Sequence, residues 1–414
     1  MPYLGCVRKM LVRKSDLRVN KDIMLGKLSK WLGRLSVGRK LMLIYLLDLT
    51  AVIYVSGILI NEKFLSIDFA RKEIAGVAYT EVVRHSLMSV FVPQGPNEAA
   101  AQASAVRLAD IRRQHDEDLG TADMAEKFVQ SLAKVNAHTG SAAGPAGQVW
   151  LRGGLLLDGR QLLTAVGNQS NLILDPDLDS YYVMSLSVLR FPELLQMLHD
   201  IQVFMLQPPG RSGSDHRTAE LLTLAGRLDA VLWAMEADYN QAWVAGGPVL
   251  QRSLADSRQA LQGQTRALLA ALRDVAATHA DGAPISWSRS EQAHAEVVQT
   301  LDVAWQASMQ TLDGLLKRRV DGLFTRMWLH LGTALALLGC ILSLVYLVAS
   351  QIARPLRALA SVADTVRRTA DYTRRARWSS GDEIGRLVTA FNDMLAQLDR
   401  DRLVQQELAA SARA

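Results

Sequence analysis

Apolar positions change their period several times along the chain, and each change marks an element. Residues 41–60, "LMLIYLLDLTAVIYVSGILI", are apolar on every face except at Asp48, and residues 327–353, "MWLHLGTALALLGCILSLVYLVASQIA", contain no Asp, Glu, Lys or Arg. Each run reaches the ~20 helical residues needed to cross a bilayer core, which predicts two membrane-spanning helices. Directly after the first run, Phe64, Ile67, Ile74, Val77 and Leu87 recur at helical intervals, and before the second run Val297, Leu301, Trp305, Met309, Leu312 and Leu316 step by three or four. No breaker separates either stripe from its apolar run, so the first and last helices of the intervening region should each be continuous with a span.

Between these two helices, Gly/Pro clusters at "VPQGPNE", "HTGSAAGPAG", "QPPGRSGSD", "VAGGP" and "HADGAPIS" separate long periodic segments, which predicts about five or six helices and no sheet. Beyond the second span, Ile352, Pro355, Leu359, Val362 and Val366 form one heptad seam. Ile384, Leu387, Phe391, Met394 and Leu398 form another, and the polar connector "RRTADYTRRARWSSG" joins them. Two such short seams from one chain do not bury themselves, so a dimeric, parallel four-helix coiled coil is the economical arrangement. Ahead of the first span, Leu25, Leu28, Leu32 and Leu35 follow helical spacing with Lys27, Lys30 and Arg34 on other faces, as in a short amphipathic helix on an anionic leaflet. Met24 opens this pattern and is the expected true start.

The composition supports an all-helical interior, with 49% hydrophobic but only 6% aromatic residues. Charge is segregated: residues 1–40 hold eleven Lys/Arg against two acids, residues 354–414 eleven against eight, and the rest 24 against 31. Basic ends flanking two spans fit cytoplasmic arms of a membrane protein better than nucleic-acid binding. Arg34, Arg39 and Lys40 before the first span, with Arg354 and Arg357 after the second, predict both termini in the cytoplasm, and Lys317, Arg318 and Arg319 weaken this contrast without reversing it. The first run has a forty-residue basic flank and no small-residue cleavage site, which favours an uncleaved anchor over a signal peptide. Cys6 and Cys340 are the only cysteines, so the region between the spans contains no disulfide.

Candidate chemistry is sparse. Asp48 within the first span should face other helices or water, either in a hydrogen bond to Thr50 or Tyr45 of a neighbouring chain or with a signalling role. Gly332, Ala336 and Cys340 form a small-residue stripe that permits close helix approach. In "NLILDPDLDSYYVMSLSVLRFPELL", residues 171–195, the three carboxylates at 175, 177 and 179 invite a calcium-loop reading, but its sixth and twelfth positions are Ser180 and Leu186 rather than Gly and Glu. Asp175 before Pro176 instead fits a helix N-cap with Pro at the first helical position, with Asp177 and Asp179 in the first turn. Tyr181, Tyr182 and Arg190 could frame an anionic or aromatic ligand on one helix, or be core packing with a structural ion pair. No catalytic constellation, metal-ligand cluster or cofactor motif can be assembled from spacing. His199 with Asp200, and His216 with Asp215, read as surface pairs.

The segments "IARPLRALASVADTV", "ADYTRRA" and "GDEIGRLVTAFNDML" resemble a HAMP domain over about residues 351–403, marked by Pro355, the Asp382–Glu383 pair and the Phe391–Asn392–x–Met394 run. Ala370 departs from the glycine that often precedes Asp371 in that family. The whole layout resembles bacterial chemoreceptors, sensor histidine kinases and transmembrane diguanylate cyclases, and "LDPDLDSYY" looks like a stretch of their helical sensor domains. The resemblance implies a basic arm over 1–40, a transmembrane helix over 41–60, a periplasmic sensor bundle over 61–326, a second transmembrane helix over 327–350, HAMP over 351–403 and a tail over 404–414. It further implies an inner-membrane homodimer that senses a small periplasmic ligand or binding protein, with Leu359, Val362, Val366, Leu387 and Leu398 among the relay positions.

No His follows His330 and no nucleotide loop or cyclase signature is present, so the expected protein is not an enzyme. It would pass its state to a cytoplasmic output protein or full-length relative in trans. The alternatives are a structural membrane protein that holds a periplasmic partner without signalling, or a truncated remnant of a longer transducer.

Overall fold

The computed structural model describes residues 37–92, 98–138, 144–207, 214–280 and 286–411, which fall into two compact units, one within 62–326 and a second formed by 37–61 with 327–411. The amphipathic stretch from Leu25 to Leu35 and the start at Met24 lie outside the described residues. Among these, all regular structure is helical. In chain order the helices are α1 (Val37–Phe91), α2 (Glu98–Leu119), α3 (Ala122–Ala137), α4 (Gly144–Gln169), α5 (Leu178–Met184), α6 (Phe191–Leu206), α7 (Ser214–Ala280), α8 (Ser288–Thr369) and α9 (Glu383–Ser411). As the uninterrupted stripes predict, α1 and α8 each carry one of the apolar runs together with one wall of the helical domain.

The 62–326 unit is a helical bundle whose core follows the sequence stripes. Ile67, Val77 and Leu87 of α1 are buried, as are Val297, Leu301, Trp305, Met309, Leu312 and Leu316 of α8. Trp305 is wholly enclosed and lies 6.0 Å, ring to ring, from Phe191 at the start of α6. Polar cores need partners, and Tyr79 meets this by donating to Asp116 Oδ1 at 2.6 Å, an oxygen that also accepts from Thr121 Oγ1 at 3.0 Å.

The unit has more helices than the Gly/Pro clusters predict, because two breaks are made by single residues. Gly120 at φ 60° ends α2, and the Asp116 side chain and carbonyl fasten Thr121 on the far side of the turn. Asn171 at φ 67° ends α4 and is followed by a short 3-10 turn, Leu172–Leu174, before Pro176. The "VAGGP" cluster does break the long α7, where Gly247 sits at φ 65°, ψ −160°, a conformation that a residue with a side chain rarely adopts. Between α5 and α6 the helix loosens into a π turn, Ser185–Arg190. Asp238 of α7 fits against this turn, accepting from Ser185 Oγ at 2.8 Å and Arg190 Nε at 2.9 Å.

In the other unit, the apolar runs leave Leu47, Tyr54, Leu337 and Leu344 more than 60% exposed, side chains that lipid would cover. Asp48 is exposed, and Thr50 Oγ1 donates to the Leu46 carbonyl at 2.7 Å within its own helix. Gly332, Ala336 and Cys340 lie on an open face of α8. The end of α8 and α9 pack through Leu359, Ala376 and Val388, with Val362, Trp378 and Phe391 around them.

Candidate functional site

The polar centre of the helical domain is built around Arg319 of α8. Its Nη1 donates to Glu73 Oε2 of α1 at 2.8 Å, and its Nη2 donates to Asp175 Oδ1 and Ser180 Oγ, each at 2.5 Å. Its Nε forms an ion pair with Asp177 Oδ2 at 2.6 Å. One guanidinium thus gathers oxygens from α1, from the loop after α4 and from α5. The loop approaches closely because α1 offers Gly76 to it: a Cβ there would lie 2.1 Å from Ser170 Oγ.

This arrangement corrects the expected capping of the "LDPDLDS" stretch. The helix starts at Leu178 with Asp177 as its N-cap residue, and neither carboxylate caps through its side chain. Asp175 Oδ1 accepts from the Asp177 backbone N–H at 3.0 Å as well as from Arg319. A buried cation is a stronger attraction for these carboxylates than a helix terminus. Arg319 is therefore a structural cation of the domain rather than a free charge flanking the span.

The cluster carries three carboxylates against one guanidinium. Glu73 is fully buried and its Oε1 has no hydrogen-bond partner, nor does Asp175 Oδ2. Burial, reinforced by the negative charge of Asp175, pushes the Glu73 carboxyl up to about 8, and the opposing pull of Arg319 does not overcome it. Burial works against the Arg319 cation, but Asp175, Glu73 and Asp177 more than offset this and hold it charged. Beside the cluster lies an open cavity of about 1000 Å³, lined by Asp177, Ser180 and Arg319 with Phe69, Leu174 and Leu323.

A second tie joins α1 to α8. Arg84 of α1 is held by Glu81 through Nε at 2.8 Å and Nη2 at 2.6 Å, and its Nη1 donates to Asp302 of α8 at 2.5 Å. Sequence reasoning missed both ties, since Glu73 and Arg319 are 246 positions apart and Arg84 and Asp302 218. The one available signal was polar residues inside otherwise apolar helix faces, here Glu73 and Arg84.

The residues singled out as a ligand frame do not converge on the large cavity. Tyr181 and Tyr182 stack edge to face at 5.3 Å and pack against the core. Arg190 is engaged by Asp238 and, at 3.4 Å, by Glu193. His199 is not a surface residue: it is buried, while Asp200 accepts from Gln196 at 2.9 Å. His216 is exposed and pairs with Glu220 at 3.1 Å.

In the second unit the relay residues assemble as a helix–connector–helix. Asp382 caps α9 by accepting from the Gly385 N–H at 2.9 Å and from the Ser380 hydroxyl, and these bonds hold its carboxyl below the usual range. Gly385 is obligatory here, because a Cβ would fall 1.8 Å from the Ser380 carbonyl oxygen. Asn392 grips the connector, its Oδ1 accepting from the Ala376 N–H at 2.9 Å and its Nδ2 donating to the Ala376 carbonyl at 3.0 Å. Ala370 turns the chain at φ 53°, where glycine carries no steric penalty. Pro355 is buried within α8 and the helix runs through it; Glu383 pairs with Arg386 at 3.0 Å on the surface.

The predicted seam of α9 divides into two faces. Val388 and Leu395 are buried within the chain, while Leu387, Met394 and Leu398 are 42–49% exposed. Leu387/Val388 and Met394/Leu395 occupy adjacent positions, the wider apolar stripe of a helix in a bundle rather than in a two-stranded coil.

A helix long and apolar enough to cross a membrane, leading into this capped, connector-pinned helix pair, fits the class of signal-relaying membrane proteins. Residues 347–400 match the HAMP domain family, so the chain carries a HAMP domain and functions in transmembrane signal transduction. Comparison with curated proteins and with solved structures returned no match.

Proposed function

We propose that the protein is a homodimeric receptor subunit of a bacterial inner membrane, with both termini in the cytoplasm and residues 62–326 in the periplasm. In this reading the helical domain receives a stimulus, α1 and α8 transmit a displacement, and the HAMP helices repack and hand the new state to a cytoplasmic output partner. The protein acts by conformation rather than by catalysis. The observation that carries the proposal is that the two helices bearing the apolar runs are also the two helices tied by Arg319–Glu73 and Arg84–Asp302 inside the domain. A stimulus that alters this pairing acts directly on both spans.

The exposed Leu387, Met394 and Leu398 support a dimer, since an apolar row of this length on a HAMP helix needs a partner surface. The relay requires two packings that differ by a few kcal/mol, so that differential ligand affinity selects between them. Disulfide crosslinking in membranes from cysteines placed at Val362 and Leu398, in a chain lacking Cys6 and Cys340, tests this. Inter-chain products whose pattern changes with stimulus are expected. A chain that gives no inter-chain product, or one invariant pattern under every stimulus, overturns the proposal. Reporter fusions that put Tyr181 and Leu398 on the same side of the membrane would overturn the topology.

A further inference from the structure

The helical domain contains a second, smaller cavity of about 260 Å³, lined by Phe91, Arg152, Leu198, His199, His294 and Val298, with Gln202 and the exposed Glu291 also on its wall. Phe91 ends α1 and His294 lies near the start of α8, while α4 supplies Arg152 and α6 supplies Leu198 and His199. The helices that carry the spans therefore meet here as well, far along their length from the Arg319 cluster.

Arg152 differs from the arginines of the domain's ion pairs. Arg84, Arg112, Arg190 and Arg319 each meet at least one carboxylate, whereas among the described residues none lies within ion-pair distance of Arg152. Burial alone lowers its pKa, with no neighbouring acid to offset it. Next to it, His199 is 5% exposed and its Nδ1 is buried with no hydrogen-bond partner. The imidazole is fixed in place: its ring stands edge-on to Phe91 at 6.2 Å, and a Cβ on Gly153 would come within 2.7 Å of its Nε2. His294 Nε2 donates to the Leu198 carbonyl at 2.9 Å, which fixes that ring too. A desolvated cation and a buried imidazole nitrogen without a partner, on two side chains that line one cavity, are each unfavourable unless something satisfies them.

We infer that this cavity is the binding site for a small carboxylate. Its two oxygens are taken by the Arg152 guanidinium and the Nδ1–H of His199, and its hydrocarbon part lies against Phe91, Leu198 and Val298. The volume admits on the order of eight or nine non-hydrogen atoms at the space a water molecule occupies. With one arginine among its lining residues and Glu291 also present, the cavity suits one carboxylate better than a multiply charged phosphate, which calls for more cationic donors. Water can satisfy the imidazole but does not neutralise the arginine. Binding stands independently of signalling; its role as the stimulus rests on the receptor reading above.

The test is calorimetric titration of the full chain in lipid nanodiscs with acetate, butyrate, succinate, benzoate and inorganic phosphate. At least one carboxylate should bind with a Kd of about 1 mM or tighter, and phosphate should not. Arg152→Gln should weaken that binding about 10- to 100-fold, the worth of a charge-assisted contact. It should not lower the unliganded melting temperature, because no ion pair is broken and a desolvated charge is removed. Arg227→Gln, at an exposed arginine that pairs with Asp200 and does not line the cavity, should bind as the wild type does. No carboxylate binding up to about 10 mM, equal binding by Arg152→Gln, or a preference for phosphate overturns the inference. Carboxylate binding with an invariant crosslinking pattern at Val362 and Leu398 keeps the site and defeats the relay. Crosslinks that respond to another stimulus in a chain that binds no carboxylate defeat the site and keep the relay.

Discussion

Glu73→Gln isolates the electrostatics of the Arg319 cluster. The substitution preserves shape and keeps an acceptor for Arg319 Nη1, but removes one of three carboxylates that surround a single guanidinium. The native carboxyl titrates near 8 in the folded chain against an ordinary value of 4.5. A folded-state pKa raised above the unfolded one means the native state holds the proton more tightly. Its stabilisation is complete below about pH 4.5 and is lost as pH rises through the folded pKa of about 8.

The buried histidines act on the other side. Burial lowers His85, His199 and His294, so their contributions are complete above about pH 6.5 and fade only on acidification. Between pH 7 and pH 9 the Glu73 contribution alone should therefore remove roughly 1 to 1.5 kcal/mol, equivalent to about 2–6 °C in Tm for a domain of this size. Thermal unfolding of the full chain in nanodiscs, followed by tryptophan emission from Trp150, Trp233, Trp243, Trp287 and Trp305, measures this at pH 7, 8 and 9. The wild type should lose midpoint temperature across that range while Glu73→Gln stays nearly flat and is the more stable at pH 9. Parallel pH profiles for the two proteins, or a variant less stable at pH 9, would refute the reasoning.

Arg319→Leu should be far more damaging, by about 3–5 kcal/mol, because it strands the buried carboxylate of Asp175 and leaves the Glu73 carboxyl without its partner; the same thermal assay reads it. Ala370→Gly relieves the residue at φ 53° and should stabilise the HAMP domain by about 1 kcal/mol, measured as slower hydrogen exchange in the connector. Asn392→Ala removes both bonds to the Ala376 backbone and should cost about 2–3 kcal/mol there, seen as faster exchange over residues 371–380 with no change in the 62–326 unit.

What the sequence disclosed follows from the range of each interaction. The spans, the α8 stripe from Val297 to Leu316 and the HAMP marks at Pro355, Asp382 and Asn392 are local patterns, and they are found in the elements those patterns predict. The break at Gly120 escaped because one left-handed glycine ends a helix as well as a cluster does, and its support comes from Asp116 and Thr121 rather than from composition. Asp175 was assigned to a helix cap because local geometry allowed it; the competing partner, Arg319, lies 144 residues away. Val388 and Leu395 were overlooked because a single seam was fitted to a helix that has two neighbours to satisfy. His199 looked like a surface residue because the position beside it, Asp200, is a surface group, and Gly153, which lets the ring bury, is remote in sequence.

Three of the places where α1 and α8 meet, the Arg84 pair, the Arg319 cluster and the Arg152 cavity, differ in what can move them. The Arg84 pair is closed: Glu81 on the same helix already holds two of its nitrogens, so Asp302 meets a guanidinium with little freedom left. The Arg319 cluster is overfilled with acid, and a proton or an external cation changes its balance. The Arg152 cavity is underfilled, with a cation that makes no ion pair and a nitrogen that lacks a partner. A stimulus acts most effectively where native interactions are incomplete, since its contacts there add to the energy instead of replacing existing ones. On that argument the rigid Arg84 tie sets the register of the two helices, and the two unbalanced sites on either side of it are where a ligand or a proton can shift their equilibrium.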